Sequence, residues 1–140
     1  MEFVPMRAEH GTMMGELIGV HAEADITEDL LASVEDSGTA FTAMEDGEVF
    51  GIAGITEKWG GTGVAWAWLP KKWKRHARKI TEEIIRNLDA SKWPRIELAV
   101  RVDFPAGHSW AKMLGFTMET PFAQKYGPDG KDYSIYVRVS

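Results

Sequence analysis

A chain of 140 residues, 44% apolar and 26% charged, has material for one core and reads as a single domain over residues 1–140. It has no cysteine, which excludes a disulfide framework, a thiolate metal site and a cysteine nucleophile. The net charge of −5 conceals a division, −11 over residues 1–63 and +6 over residues 64–140, so one body presents an acidic and a basic surface.

Glu2 to Arg7 reads as a short first strand. Two helical stretches are predicted next: Thr12 to Ala22, with Met13, Met14, Leu17 and Ile18 on one stripe, and Thr27 to Val34, with Thr27 as N-cap. Ser37-Gly38 ends the second. Thr39 to Met44 and Val49 to Glu57 read as strands joined by Asp46-Gly47, a strong two-residue hairpin signal. Trp59 to Gly63 reads as a loose loop before a third strand, Val64 to Leu69, in which Trp66 and Trp68 face one way and Ala65 and Ala67 the other. The helix predicted after Pro70 sets Trp73, Ala77, Ile80, Ile84 and Leu88 on one apolar stripe, and Trp93-Pro94 breaks it.

Arg95 to Val102 alternates again, with Ile96, Leu98 and Val100 on one face. Phe104-Pro105 opens a short helix ending at Leu114, stopped by Gly115. Phe116 to Glu119 and Tyr133 to Val139 make a last strand pair around the turn Gly127-Pro128-Asp129-Gly130. The order β-α-α-β-β-β-α-β-α-β-β predicts an α/β (α+β) domain whose mixed, mostly antiparallel sheet carries helices on both faces.

The turn between the third central strand and the long helix carries most of the functional information. Lys71, Lys72, Lys74, Arg75, Arg78 and Lys79 put six bases into nine positions with no acid among them. Helix-start N–H groups and cations converge at such a turn, an arrangement that holds a phosphate-bearing ligand. A solvated helix face is the plainer reading of the same run. Trp59, Trp66, Trp68 and Trp73 gather around it, most of them as core, with stacking on an acyl or adenine group or on a nucleic-acid single strand as the alternative uses. The acidic overall balance argues against a dedicated nucleic-acid binder. His10, His21, His76 and His108 lack ligand spacing, so no metal site is expected. No run approaches the ~18 apolar residues of a membrane span, and the first residues lack the basic and apolar regions of a leader, which predicts a cytoplasmic protein.

Four segments in this order resemble the GCN5-related N-acetyltransferase (GNAT) superfamily over essentially the whole chain. MEDGEVFGIAG (44–54) is similar to the paired central strands of that family, and WLP (68–70) to the strand and proline before its pyrophosphate loop. RIELAV (95–100) is similar to the strand after its long helix, and KMLGF (112–116) to its last-helix ending. Size, tryptophan content and degenerate motifs also resemble the short GNAT-like proteins of T7-like bacteriophages. The resemblance implies an N-acetyltransferase that takes acetyl from acetyl-CoA to an amine acceptor. It implies a V-shaped cleft in which Ala67, Trp68 and Leu69 pair with the pantetheine arm, while Lys71, Lys72, Lys74, Arg75, His76 and Arg78 form the pyrophosphate loop.

Two departures stand against the family pattern. The loop positions that are small in the family fall on Lys74, His76 and Arg78, where a close backbone cradle would need residues without bulk. The family's thiolate-protonating tyrosine corresponds to Ala111; His108, one turn earlier, is the candidate acid, and Glu57, at the end of a hairpin strand, the candidate base. Glu16, Glu23, Asp25, Glu28 and Asp29 would lie beside the acceptor cleft and favour a cationic amine. Direct attack of an amine on a thioester asks mainly for orientation and a polarised carbonyl. A second reading keeps the fold and drops the chemistry: a binding or structural protein with an eroded cofactor loop, acting through a protein partner in a phage virion or its assembly.

Overall fold

The computed structural model describes residues 1–7, 9–10, 17–18, 32, 35–36, 39–127 and 129–140. Strands are β1 (Glu2–Pro5), β2 (Leu17–Ile18), β3 (Ala40–Glu45), β4 (Glu48–Trp59), β5 (Thr62–Pro70), β6 (Arg95–Arg101), β7 (Thr117–Ala123) and β8 (Tyr133–Val139). A 3-10 turn, Lys71–His76, leads into helix α1 (Ala77–Asp89), and α2 spans Pro105–Met113. The sheet runs β1-β3-β4-β5-β6-β8-β7, with β2 paired to β5 off this path. Among the described residues only the β5–β6 pair is parallel; the others are antiparallel.

Turn chemistry sets the central meander. Asp46 and Gly47 have φ of 51° and 78°, the left-handed pair of a two-residue hairpin whose twist matches its strands. The segment read as a loose loop is instead a tight reversal: Trp59 pairs with Thr62 across Gly60-Gly61, and Gly61 takes φ 87°. Two glycines let the chain turn where a longer loop was expected.

Core residues follow the alternation. Phe41, Ala43, Ala53 and Ile55 from the sheet meet Ile80, Ile84 and Leu88 of α1, Ala111 of α2 and Leu114 just after it in one buried cluster. Both helices therefore pack on the same sheet face. Burying each of the α1 aliphatics contributes roughly 1.5–3 kcal/mol. Trp68, Ile52, Val49 and Met6 form a second cluster, where Trp66 and Trp68 lie side by side with ring centroids 4.7 Å apart. Most of the two early helical stretches lies outside the described residues, as do the five acids expected to flank the cleft.

Two further expectations are corrected. Leu17 and Ile18, placed on a helical stripe by their spacing, are strand and pair with Pro70 and Leu69. Backbone groups at the end of β5 are satisfied this way, and β-branched Ile18 suits a strand. The helix after Pro70 does not start as an α-helix; six residues of 3-10 turn precede it. Neither the 3-10 turn nor the first turn of α1 contains an acid, His76 makes no capping hydrogen bond to α1 among the described residues, and the cations here oppose the positive end of the helix dipole. Among the described residues no helix is long and apolar enough to cross a membrane.

Candidate active site

The cleft follows from where one ladder stops. β5 and β6 pair only over Thr62–Val64 and Arg95–Glu97, while β6 continues to Arg101 alongside β8. Beyond Val64 the two parallel strands separate, and Ala65–Trp68 have no ladder partner on the β6 side among the described residues. The opening is a cavity of about 340 Å³. Its floor is Ala53, Ala65 and Ala67, α1 contributes Ile84 and Leu88, and the α2 side contributes Phe104 and Trp110. Small residues on the strands leave the volume; large ones on the helices enclose it.

Trp73 and Lys74 stand at the 3-10 end of this cavity. Trp73 packs on Trp110 with centroids 5.2 Å apart, and its buried indole nitrogen has no hydrogen-bond partner among the described residues. Lys74 is exposed and has no ion pair among the described residues. Its neighbours differ. Arg75 lies 3.6 Å from Glu48 and sits over the Phe50 ring, and His76 contacts Glu45 and meets the same ring edge-on. Arg78 pairs with Glu82 at 3.2 Å, one turn along α1. Of the three bulky residues at the expected cradle positions, Lys74 thus lines the cleft, while His76 and Arg78 turn to carboxylates. The side chains of Lys71 and Lys72 lie outside the described residues.

The strand-edge residues Ala67 and Leu69 line the cavity; Trp68 turns its buried ring to the other face. Leu69 also pairs with Ile18, so among the described residues the edge without a ladder partner is Ala65–Trp68. Alternate residues along such an edge turn N–H and C=O outward, a template for an extended amide chain.

Neither candidate acid–base residue lines this cavity. Glu57 is exposed and pairs with Gly63, where β5 is still joined to β6, at the closed end of the V. His108 is held by the fold. Its Nε2 lies 2.9 Å from the Arg101 carbonyl and its Nδ1 2.7 Å from the Tyr136 hydroxyl. A carbonyl only accepts, so Nε2 donates to it, and in the neutral ring Nδ1 accepts from the Tyr136 hydroxyl. Burial pushes the Tyr136 phenol above its ordinary pKa, which keeps it a donor. Among the described residues no cluster of three His, Asp or Glu is placed to hold a metal.

Reasoning from sequence missed Leu98, Phe104 and Trp110 as cleft residues. The available signal was the run of small residues, Ala65, Ala67 and Ala99, facing two aromatics after Arg101.

No family model matches the chain, and no curated protein matches it. Solved structures do. An acetyltransferase of the GNAT family from Streptococcus pneumoniae superposes with TM-score 0.74 at 13% identity, covering 99% of this chain and 98% of its own. Ard1 from Thermoplasma volcanium gives 0.80 at 11% identity, covering 99% and 96%. The putative acetyltransferase yncA from Salmonella typhimurium, solved with its cofactor acetyl-CoA, gives 0.74 at 15% identity, covering 99% and 93%. This fold is that of the GNAT acetyltransferases.

Proposed function

We propose that this protein binds an acyl-coenzyme A thioester in the β5–β6 cleft and transfers the acyl group to an amine. The observation that carries the reading is the free Ala65–Trp68 edge beside an apolar cavity with a cation at its mouth. The pantetheine amides would pair along that edge, and Lys74 with the N–H groups of the 3-10 turn would meet the diphosphate. The fit is of a different kind from a glycine cradle: charge and open helix-start donors stand where small residues are absent. A structural neighbour solved with acetyl-CoA supports the choice of cofactor class.

Among the described residues no carboxylate lines the cavity. The protein's contribution is therefore orientation: outward N–H groups of the β5 edge polarise the thioester carbonyl while the apolar walls exclude water. Glu57 and His108 take no direct part in this account, because one lies at the closed end and the other has both ring nitrogens engaged.

A second reading, a binding protein that holds the ligand without turnover, is favoured by one observation. Arg75, His76 and Arg78 are already satisfied by Glu48, Glu45 and Glu82. Calorimetric titration with acetyl-CoA, followed by a thiol-release assay over a panel of amines, separates the two. Binding with amine-dependent thiol release supports transfer, and binding without release supports the second reading. No binding at millimolar ligand removes both.

A further inference from the structure

Among the described residues three indoles line the cavity: Trp66, Trp73 and Trp110. The fold supplies an acceptor for two of them. Trp66 Nε1 donates to Thr56 Oγ1 at 2.9 Å, and Trp110 Nε1 donates to Thr81 Oγ1 at 3.0 Å. Trp73 Nε1 is shut off from solvent and has no acceptor among the described residues. An indole N–H only donates, so burying it without an acceptor forfeits the hydrogen bond it makes to water. A buried group of this kind in a native fold has a cause, and a ligand atom that completes the pair is one.

The place of Trp73 in the cleft narrows which atom that is. It stands at the cavity mouth, between Leu69 at the end of the strand edge and Lys74, the cation assigned to the diphosphate. Its ring is half-buried and meets Trp110 at 46°, a tilted contact rather than a locked stack. Rotation about the outer torsion of an aromatic side chain is soft, so a small turn of the ring brings the N–H to the cavity wall. With the phosphates at Lys74 and the thioester deeper along Ala65–Trp68, the ligand group that passes Trp73 is the pantetheine amide nearer the phosphates. Its carbonyl oxygen has two lone pairs and can accept from the β5 edge and from the indole together.

We infer that Trp73 is a binding residue of this site, its Nε1–H donating to the carbonyl oxygen of that amide. This rests on the reading of the cleft as an acyl-CoA site. The bond pins the arm at one point of the β5 edge and so sets how deep the thioester stands. Lys74, a point charge on a flexible stem, attracts the phosphates without fixing that depth.

The test is the indole N–H magnetic resonance spectrum of the isotope-labelled full chain, recorded with coenzyme A, with pantetheine and with ADP. The Trp73 resonance is the one missing from Trp73→Phe; if that variant does not fold, contacts with the Trp110 ring protons assign it. Coenzyme A and pantetheine, which carry the amide, are expected to move it downfield, the direction of a forming hydrogen bond. ADP, which carries a diphosphate and no arm, is expected to leave it in place. Folded Trp73→Phe is expected to bind coenzyme A about fivefold more weakly, the scale of one neutral hydrogen bond, and ADP within about twofold of wild type. Coenzyme A binding with the resonance unmoved would overturn the inference and leave the acyl-CoA site standing. An equal shift with ADP would set a phosphate against the indole and overturn it as well. Failure to bind coenzyme A would remove the site itself.

Discussion

Trp110 of α2 donates its indole N–H to Thr81 Oγ1 of α1 at 3.0 Å, tying together the two helices that flank the cleft. Thr81 in turn donates to the Ala77 carbonyl at 2.7 Å, one turn back on α1. Trp110→Phe keeps the apolar body and removes the tie, so it should destabilise the fold by about 1 kcal/mol. Thr81→Val leaves the buried indole N–H without an acceptor and should cost more, about 1–3 kcal/mol. Urea unfolding of the two variants checks the order; equal stability of both with wild type would remove the tie from the account.

Lys74 is the described cation at the cleft, and its neighbours have acidic partners. Lys74→Glu should weaken coenzyme A binding about tenfold or more, the scale of one lost charge-assisted contact. Arg78→Glu, whose side chain is exposed and directed to Glu82, should change it less than threefold at moderate salt, as expected of a screened surface charge. Calorimetry on both variants reads the difference. Similar losses would mean that the whole basic face, rather than one residue, attracts the ligand.

Acid should weaken the fold in two stages. His10 is buried, its Nδ1 accepts from the Arg7 N–H at 3.0 Å, and it lies 2.8 Å from the Thr42 hydroxyl. Burial pushes its pKa below 6.5, outweighing the opposing pull of Glu9. The unfolded chain then takes up the proton more readily, so this stability is present above pH 6.5 and is lost as pH falls through the folded value. Burial pushes the Glu97 carboxyl up, but hydrogen bonds from Lys58 and Arg95 more than offset it and hold the group below its ordinary 4.5. Arg95 likewise holds Glu119 down through two contacts at 2.6 and 3.0 Å. Stability from these carboxylates is present above about pH 4.5 and falls below it. His10→Gln should flatten the unfolding midpoint between pH 7 and 5 and leave the lower fall intact.

Gly107 lets α2 approach β6. A Cβ there would sit 2.6 Å from the Phe104 ring and 2.8 Å from Val100 Cγ1. Gly107→Val should cost about 2–3 kcal/mol by overpacking, which exceeds what a better helix former returns. Because Phe104 and Val100 line the cleft, its affinity for thioesters should fall as well. Thermal unfolding and titration of the same variant check both.

Local chemistry was legible in the sequence and long-range register was not. Asp46-Gly47 announced its turn, and Gly115, at φ 91° after α2, announced its stop. The stripe from Ile80 to Leu88 announced the buried face of α1, since a period of 3.6 is a local property. The cleft depends instead on the β5–β6 ladder ending at Val64 and Glu97, a pairing between segments some thirty residues apart that no window of sequence contains. The 3-10 start was hidden for another reason: Lys and Arg are good helix formers, and only the collective repulsion of the run from the helix dipole sets them against it. The contacts that hold His108, with the Tyr136 hydroxyl and the Arg101 carbonyl, were not legible because these partners are remote or featureless in sequence.

A crystal structure of the protein soaked with coenzyme A addresses the central claim. The account predicts the pantetheine arm extended along Ala65–Trp68, its amides paired with the β5 backbone, and the diphosphate against Lys74 and the 3-10 turn. Coenzyme A bound through its phosphates alone, with the arm outside the space between β5 and β6, would contradict it.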